Sequence, residues 1–281
     1  MLKLRVITAI VLIPLVILAI YYTTLPVFAF LAVLIAAGCA WEWSQLARLS
    51  LPVSALFIGL LLVVCYELFQ LLIQEPELLP VLFFAAVVLW CLYTVWLVKY
   101  QRGINKEPAQ SGVSFILGVV TIAFFWIALV FLKQKQDLLG GHPILQLLLI
   151  IWGADTGAYF VGRQFGKHKL AVNISPGKTI EGVFGGLVLS SITALLSLWL
   201  LPTPPLNYSQ TIGLLFMLGF TWLIVIFAVI GDLFESMLKR QVGVKDSGRL
   251  LPGHGGLLDR LDSLLAAAPL FALGYGLIYS F

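Results

Sequence analysis

Residues 79–98 read LPVLFFAAVVLWCLYTVWLV, twenty consecutive positions without a charged side chain. About 20 mostly apolar residues are what a helix needs to cross the hydrocarbon core of a bilayer. Trp90, Tyr93, Trp96 and Tyr100 gather at one end of the run, as amphipathic rings do at a membrane–water boundary. The rest of the chain has the same character. Of its 281 residues 61% are hydrophobic and only 11% are charged, against about one quarter in a soluble domain. A water-soluble enzyme, a disordered chain and a nucleic-acid-binding module are excluded, because an ordinary core cannot hide that much apolar surface. The net charge of +4 says little about partners, since basic residues in membrane proteins mostly report topology.

Outward from this run the chain offers nine apolar segments, roughly 6–22, 26–41, 52–73, 79–98, 113–132, 143–161, 183–201, 211–231 and 261–280. The expected fold is all-α: a polytopic bundle of about nine spans, N-terminus cytosolic and C-terminus outside. Only Thr23-Thr24-Leu25-Pro26 separates the first two segments, so a re-entrant hairpin is the alternative there. With a cytosolic N-terminus, 15 of the 17 Lys and Arg residues fall inside, and only Lys133 and Lys135 fall outside. That bias supports both the orientation and the odd number of spans. Met1 to Ile20 opens like a signal peptide, but no small-residue cleavage site follows and more spans do, so it reads as the first helix. Cys39, Cys65 and Cys91 lie in separate apolar runs without ligand-like spacing and read as buried spectators. Residues 1–112 hold about four spans and no recognised motif, whereas residues 113–281 hold the remaining spans and two polar cytosolic segments, 155–182 and 232–262.

Those two segments are too long and too specifically composed to be plain connections. The second places Asp232 at the close of the eighth span and Asp259 and Asp262, three apart on one helical face, at the opening of the ninth. Between them lie Glu235-Ser236, Lys239-Arg240, Lys245-Asp246-Ser247-Gly248 and Pro252-Gly253-His254-Gly255-Gly256. A helix cap alone would account for Asp259. It would not account for a histidine among three glycines or for five acids interleaved with five bases. Carboxylates beside Lys, Arg and backbone donors suit the holding of Mg²⁺ on a polyphosphate. In the first segment, Asp155 lies about 9 to 10 Å below Gly162 in the sixth span, where a carboxylate is costly unless it faces a cavity or partner. Gly153 and Gly157 flank it, so close helix packing competes as the reason for the small residues. Gly177-Lys178-Thr179 ends like a phosphate-binding loop, but Val172 stands where that motif needs glycine, so Ser175-Pro176-Gly177 reads instead as a turn offering N–H groups and a lysine. Glu42 and Glu67 lack motif support and read as structural or interfacial. His142 and His168 read as loop residues.

From Ser236 to Asp262 the pattern resembles the signature of the phosphatidate cytidylyltransferase (CDP-diacylglycerol synthase) family. Ser236, Lys239-Arg240, Lys245-Asp246, Gly248, Pro252, His254-Gly255-Gly256 and Asp259-Arg260-Leu261-Asp262 satisfy every position of it. Residues 153–169 and 175–182 look like the family's upstream motifs. The resemblance implies the reaction CTP + phosphatidate → CDP-diacylglycerol + diphosphate, with Mg²⁺ as cofactor and room for a second cation. It implies Asp232 and Asp259 as metal carboxylates, with Asp246 and Asp262 as supporting or metal-linked positions. It also implies Lys178, Lys239, Arg240, Lys245 and Arg260 as phosphate contacts, Asp155 and Ser175 in the nucleotide pocket or at its metal, and His254 orienting a phosphate. The partners would be CTP, phosphatidate in the cytosolic leaflet, surrounding membrane lipids and a second copy in a homodimer, at the inner face of a bacterial inner membrane. Two other classes compete. A CDP-alcohol phosphotransferase motif starts Asp-Gly, a pair absent from this chain. A secondary transporter would place its polar groups near the midplane between repeats, and here they sit in cytosolic segments with no evident repeat.

Overall fold

The structure, a computed structural model, describes residues 2–104, 107–108, 110–201, 210–251, 253 and 255–279. Among them are nine α-helices: α1 (Leu2–Tyr22), α2 (Leu25–Leu46), α3 (Leu51–Gln74), α4 (Leu79–Gln101), α5 (Ser111–Leu139), α6 (Pro143–Phe165), α7 (Ile180–Leu200), α8 (Gln210–Val242) and α9 (Leu258–Tyr279). The eight from α2 to α9 are long and apolar enough to cross a membrane. α1 is a further apolar helix of 21 residues, broken from α2 at Thr23-Thr24. Prolines open α2, α3, α4 and α6, where the missing N–H would lack an intrahelical partner anyway. Gly140, at φ 71°, closes α5 in the left-handed conformation.

α5 and α9 form the middle of the bundle, with 67% and 72% of their apolar windows buried. The buried core is one continuous cluster, from Ile20 in α1 to Tyr275 in α9, and it crosses residue 112 without a break. Indole N–H groups stitch it: Trp43 donates to the Ser114 carbonyl at 3.0 Å and Trp126 to that of Ala29 at 3.1 Å. Large apolar side chains such as Phe30, Phe84, Phe160 and Trp199 are exposed, the surface a lipid-facing bundle presents. α6 packs against α7 at glycine distance, since a Cβ on Gly157 would overlap the Gly185 carbonyl.

Four local expectations need correction. Ser175–Thr179 is not a turn but strand β2, paired antiparallel with β1 (Lys169–Ala171) in the register Lys169↔Thr179 and Ala171↔Ser175. Proline and glycine are depleted in strands, so the pentapeptide SPGKT hides its pairing. α8 runs to Val242, well past residue 231, because Phe234, Met237 and Leu238 continue a buried stripe beneath the charges. α5 likewise runs past residue 132. Lys133 is buried there, bonded to Asp137 at 2.7 Å and to the Ile20 carbonyl at 3.0 Å, rather than sitting in an outer loop. Cys39 and Cys65 are buried as expected, but Cys91 is exposed on α4.

Candidate active site

Two clusters of charged side chains form where α6, α8 and α9 meet the β-hairpin. The hairpin lies between α6 and α7, and the Thr179 hydroxyl caps α7 by accepting from the Gly182 N–H at 3.1 Å. This fixes the neighbouring Lys178, whose Nζ reaches Asp232 Oδ2 on α8 at 2.6 Å. The other oxygen of Asp232 accepts from the Ser236 hydroxyl, one turn on, at 3.3 Å. α8 and α9 touch at Gly231, where a Cβ would overlap the Asp262 carbonyl, so Asp262 is drawn in beside Asp232. Asp262 interacts electrostatically with Asp232, Lys178 and Lys239, and Asp155 on α6 with Asp232 and Lys178. One carboxylate thus pairs with Lys178, and two more, from two other helices, lie within its electrostatic reach.

Asp155, Lys178 and Asp232 line a cavity of about 460 Å³. Tyr159 and Arg163 add polar groups to its wall, which also includes the apolar Ala154, Val183, Val225 and Ala228. Pockets of this size hold small molecules of nucleotide or headgroup dimensions.

The second cluster centres on Asp259. Its Oδ1 takes Lys239 Nζ at 2.6 Å, and its Oδ2 accepts from the backbone N–H groups of Ser247 at 3.0 Å and Gly256 at 2.8 Å. Lys239 also pairs with buried Glu235, one turn back on α8. The loop that wraps this carboxylate turns through Gly253 and Gly255 at φ 78° and 85°, backbone that favours glycine, and closes with Leu251 N–H on the Gly255 carbonyl at 3.1 Å.

A sequence profile of the cytidylyltransferase family matches residues 3–278. The chain belongs to the cytidylyltransferase family. It is similar to the phosphatidate cytidylyltransferase of Pseudomonas aeruginosa, 40% identical over 277 residues that cover 97% of this chain and 96% of that protein. The phosphatidate cytidylyltransferase of Haemophilus influenzae is 35% identical over 289 residues, covering 98% and 99% of the two chains. That of Staphylococcus haemolyticus is 37% identical over 270 residues, covering 95% and 96%.

In this cytidylyltransferase the residues singled out by the sequence fall into three groups. Asp155, Lys178, Asp232 and Asp262 share the first cluster, and Lys239 and Asp259 share the second. The rest form the third group. Ser175 starts β2 at the end away from Thr179 and does not line the cavity. Arg240 ties elements together, donating from Nε to the Ile174 carbonyl at 3.2 Å and from Nη1 to that of Val244 at 3.4 Å. Lys245, Asp246 and Arg260 are exposed on and beside the loop, and His254 lies outside the described residues. Four side chains without a sequence-based role belong to these surroundings: Tyr159 and Arg163 in the cavity wall, Glu235 under Lys239, and Glu42. Arg163 and Glu235 lie inside the motif segments and could have been read from their charge. Glu42 gives no such signal.

Proposed function

We propose that the protein joins CTP to phosphatidate, making CDP-diacylglycerol and releasing diphosphate. The reading is carried by one cavity whose wall combines charged and apolar side chains, in a chain whose near-full-length relatives are named phosphatidate cytidylyltransferase. A nucleotide needs the charged groups, and a lipid phosphate arriving from the leaflet needs apolar groups beside them.

An oxygen of the lipid phosphate attacks the α-phosphorus of CTP in line. The new P–O bond forms as the bond from that phosphorus to the bridging oxygen of the β-phosphate breaks, and diphosphate leaves. The attacking oxygen is already an anion, so no strong base is required. The side chains must instead screen two anions from each other and hold them in line. Lys178, supported by Arg163, supplies positive charge at the cavity wall. Asp155, in the same wall and within electrostatic reach of Lys178, restricts where a nucleotide phosphate can settle. Lys239, Arg240, Lys245 and Arg260 are further phosphate contacts in this reading, and His254 an orienting one.

The carboxylates fit Mg²⁺. Mg²⁺ takes one or two carboxylates and completes its shell with water and phosphate oxygens. Asp232, with Asp262 beside it, offers such a pair at the cavity. Asp259 would join only by exchanging Lys239, and Asp246 remains a more distant support. When bound, the ion neutralises phosphate oxygens and eases departure of diphosphate. The bias of basic residues supports a cytosolic side for this end of the bundle, and the bacterial relatives support an inner membrane.

Diphosphate release by the purified protein tests the reading. Release is expected to require both CTP and phosphatidate, to stop with chelator and to resume with Mg²⁺. Release without phosphatidate, or none with both substrates, would overturn it.

A further inference from the structure

Glu42 lies near the end of α2, in the part of the chain that carries no motif, and is only 1% exposed. Burying a carboxylate is costly unless donors surround it. Three do, and all come from the far end of the sequence. Leu257 N–H donates to Oε1 at 3.0 Å, Leu258 N–H to Oε2 at 2.8 Å, and the Ser247 hydroxyl to Oε2 at 2.9 Å. The two N–H groups stand at the N-terminus of α9, where a helix lacks internal acceptors and its dipole favours negative charge.

The seat around Glu42 fits this loop closely. One turn earlier on the same face of α2 is Gly38, where a Cβ would lie 2.8 Å from the Leu257 side chain. A Cβ on Gly248 would overlap the Glu42 carboxylate itself. Ser247 then links two acids. Its hydroxyl donates to Glu42 and accepts from the Asp259 N–H at 3.3 Å, while its own N–H donates to Asp259 Oδ2. The loop is therefore clasped between a carboxylate on α2 and one on α9.

We propose that Glu42 is a positioning residue for the reaction: it pins Ser247 and the Leu257–Leu258 turn onto α2 and, through Ser247, sets the place of Asp259. The proposal rests on the substrates and site assigned above. Both Glu42 oxygens accept from backbone N–H groups, so the side-chain amide of a glutamine would face a donor in either orientation. Glu42→Gln thus keeps the shape and breaks the clasp.

The test uses full-length protein in lipid nanodiscs. For Glu42→Gln, kcat is expected to fall roughly 10- to 100-fold, the cost of a small misplacement of reacting groups, with KM for CTP within about threefold. Amide hydrogen exchange should quicken at residues 246–248 and 255–258 and stay unchanged in α5. Glu42→Asp should recover part of kcat, and Glu67→Gln should match wild type. Wild-type kcat in Glu42→Gln, or a loss that tracks only the amount of folded protein, would overturn the proposal. Exchange is read on the same samples and judges the clasp by itself. If the wild type released no diphosphate from CTP and phosphatidate, the substrate assignment would fall, while unchanged loop exchange would sink Glu42.

Discussion

Asp232 and Asp259 have the same side chain in different company, so removing their charges should have different consequences. Asp232 faces the cavity and holds one lysine and one hydroxyl. Asp232→Asn should lower diphosphate release roughly 100-fold or more while the melting midpoint hardly moves, since the loss falls on charge stabilisation of the reaction. Asp259 also holds two loop N–H groups and Lys239. Hydrogen bonds to charged groups contribute about 1.5–3 kcal/mol each, so Asp259→Asn should lower the melting midpoint as well as turnover. Turnover and thermal denaturation of both variants check this, and near-normal turnover in Asp259→Asn would remove it from the metal carboxylates. The two residues are equally visible in the sequence, as acids at the mouths of spans. Their division into separate clusters is not, because it depends on which partner each one meets. Glu42 is the extreme case: its partners lie 205 to 216 positions downstream, and no local pattern announces them.

The helices can be read from composition because each needs only its own run of apolar residues. Pairing is harder to read. The contact of α6 with α7 depends on glycines that could equally be loop or hinge residues, and a strand as short as β2 is made by its partner rather than by its own sequence. The end of α8 is concealed for another reason, since charge marks a segment as outside the membrane without showing that it has stopped being helical. Substitutions at two helical glycines probe the packing. A Cβ on Gly185 would overlap the Val161 side chain, whereas nothing lies within 4 Å of one on Gly59. Gly185→Val should abolish a monodisperse peak in size-exclusion chromatography after mild heating. Gly59→Ala should leave the peak intact or slightly more heat-resistant, as alanine is favoured over glycine in helices by about 1 kcal/mol.

Over the whole molecule, 16 of the 30 charges fall within residues 155–182 and 232–262, so one end of the bundle carries most of the reactive chemistry. Its side of the membrane can be tested directly. With Cys91 replaced by alanine, a membrane-impermeant thiol reagent on intact bacteria should label Leu138→Cys, which is 70% exposed. It should miss Val172→Cys, 56% exposed in the hairpin, until the cells are opened, and the reverse pattern would invert the orientation. α8 adds a constraint of a different kind. At 33 residues it is about 50 Å long, against a hydrocarbon core of about 30 Å, and it carries Asp232 on the same unbroken rod that crosses the apolar layer. The depth of Asp232 is therefore dictated by the helix, while the depth of a lipid phosphate is dictated by the bilayer. The two match in a membrane of one thickness, which makes the surrounding lipid a gauge for the enzyme as well as the source of its substrate.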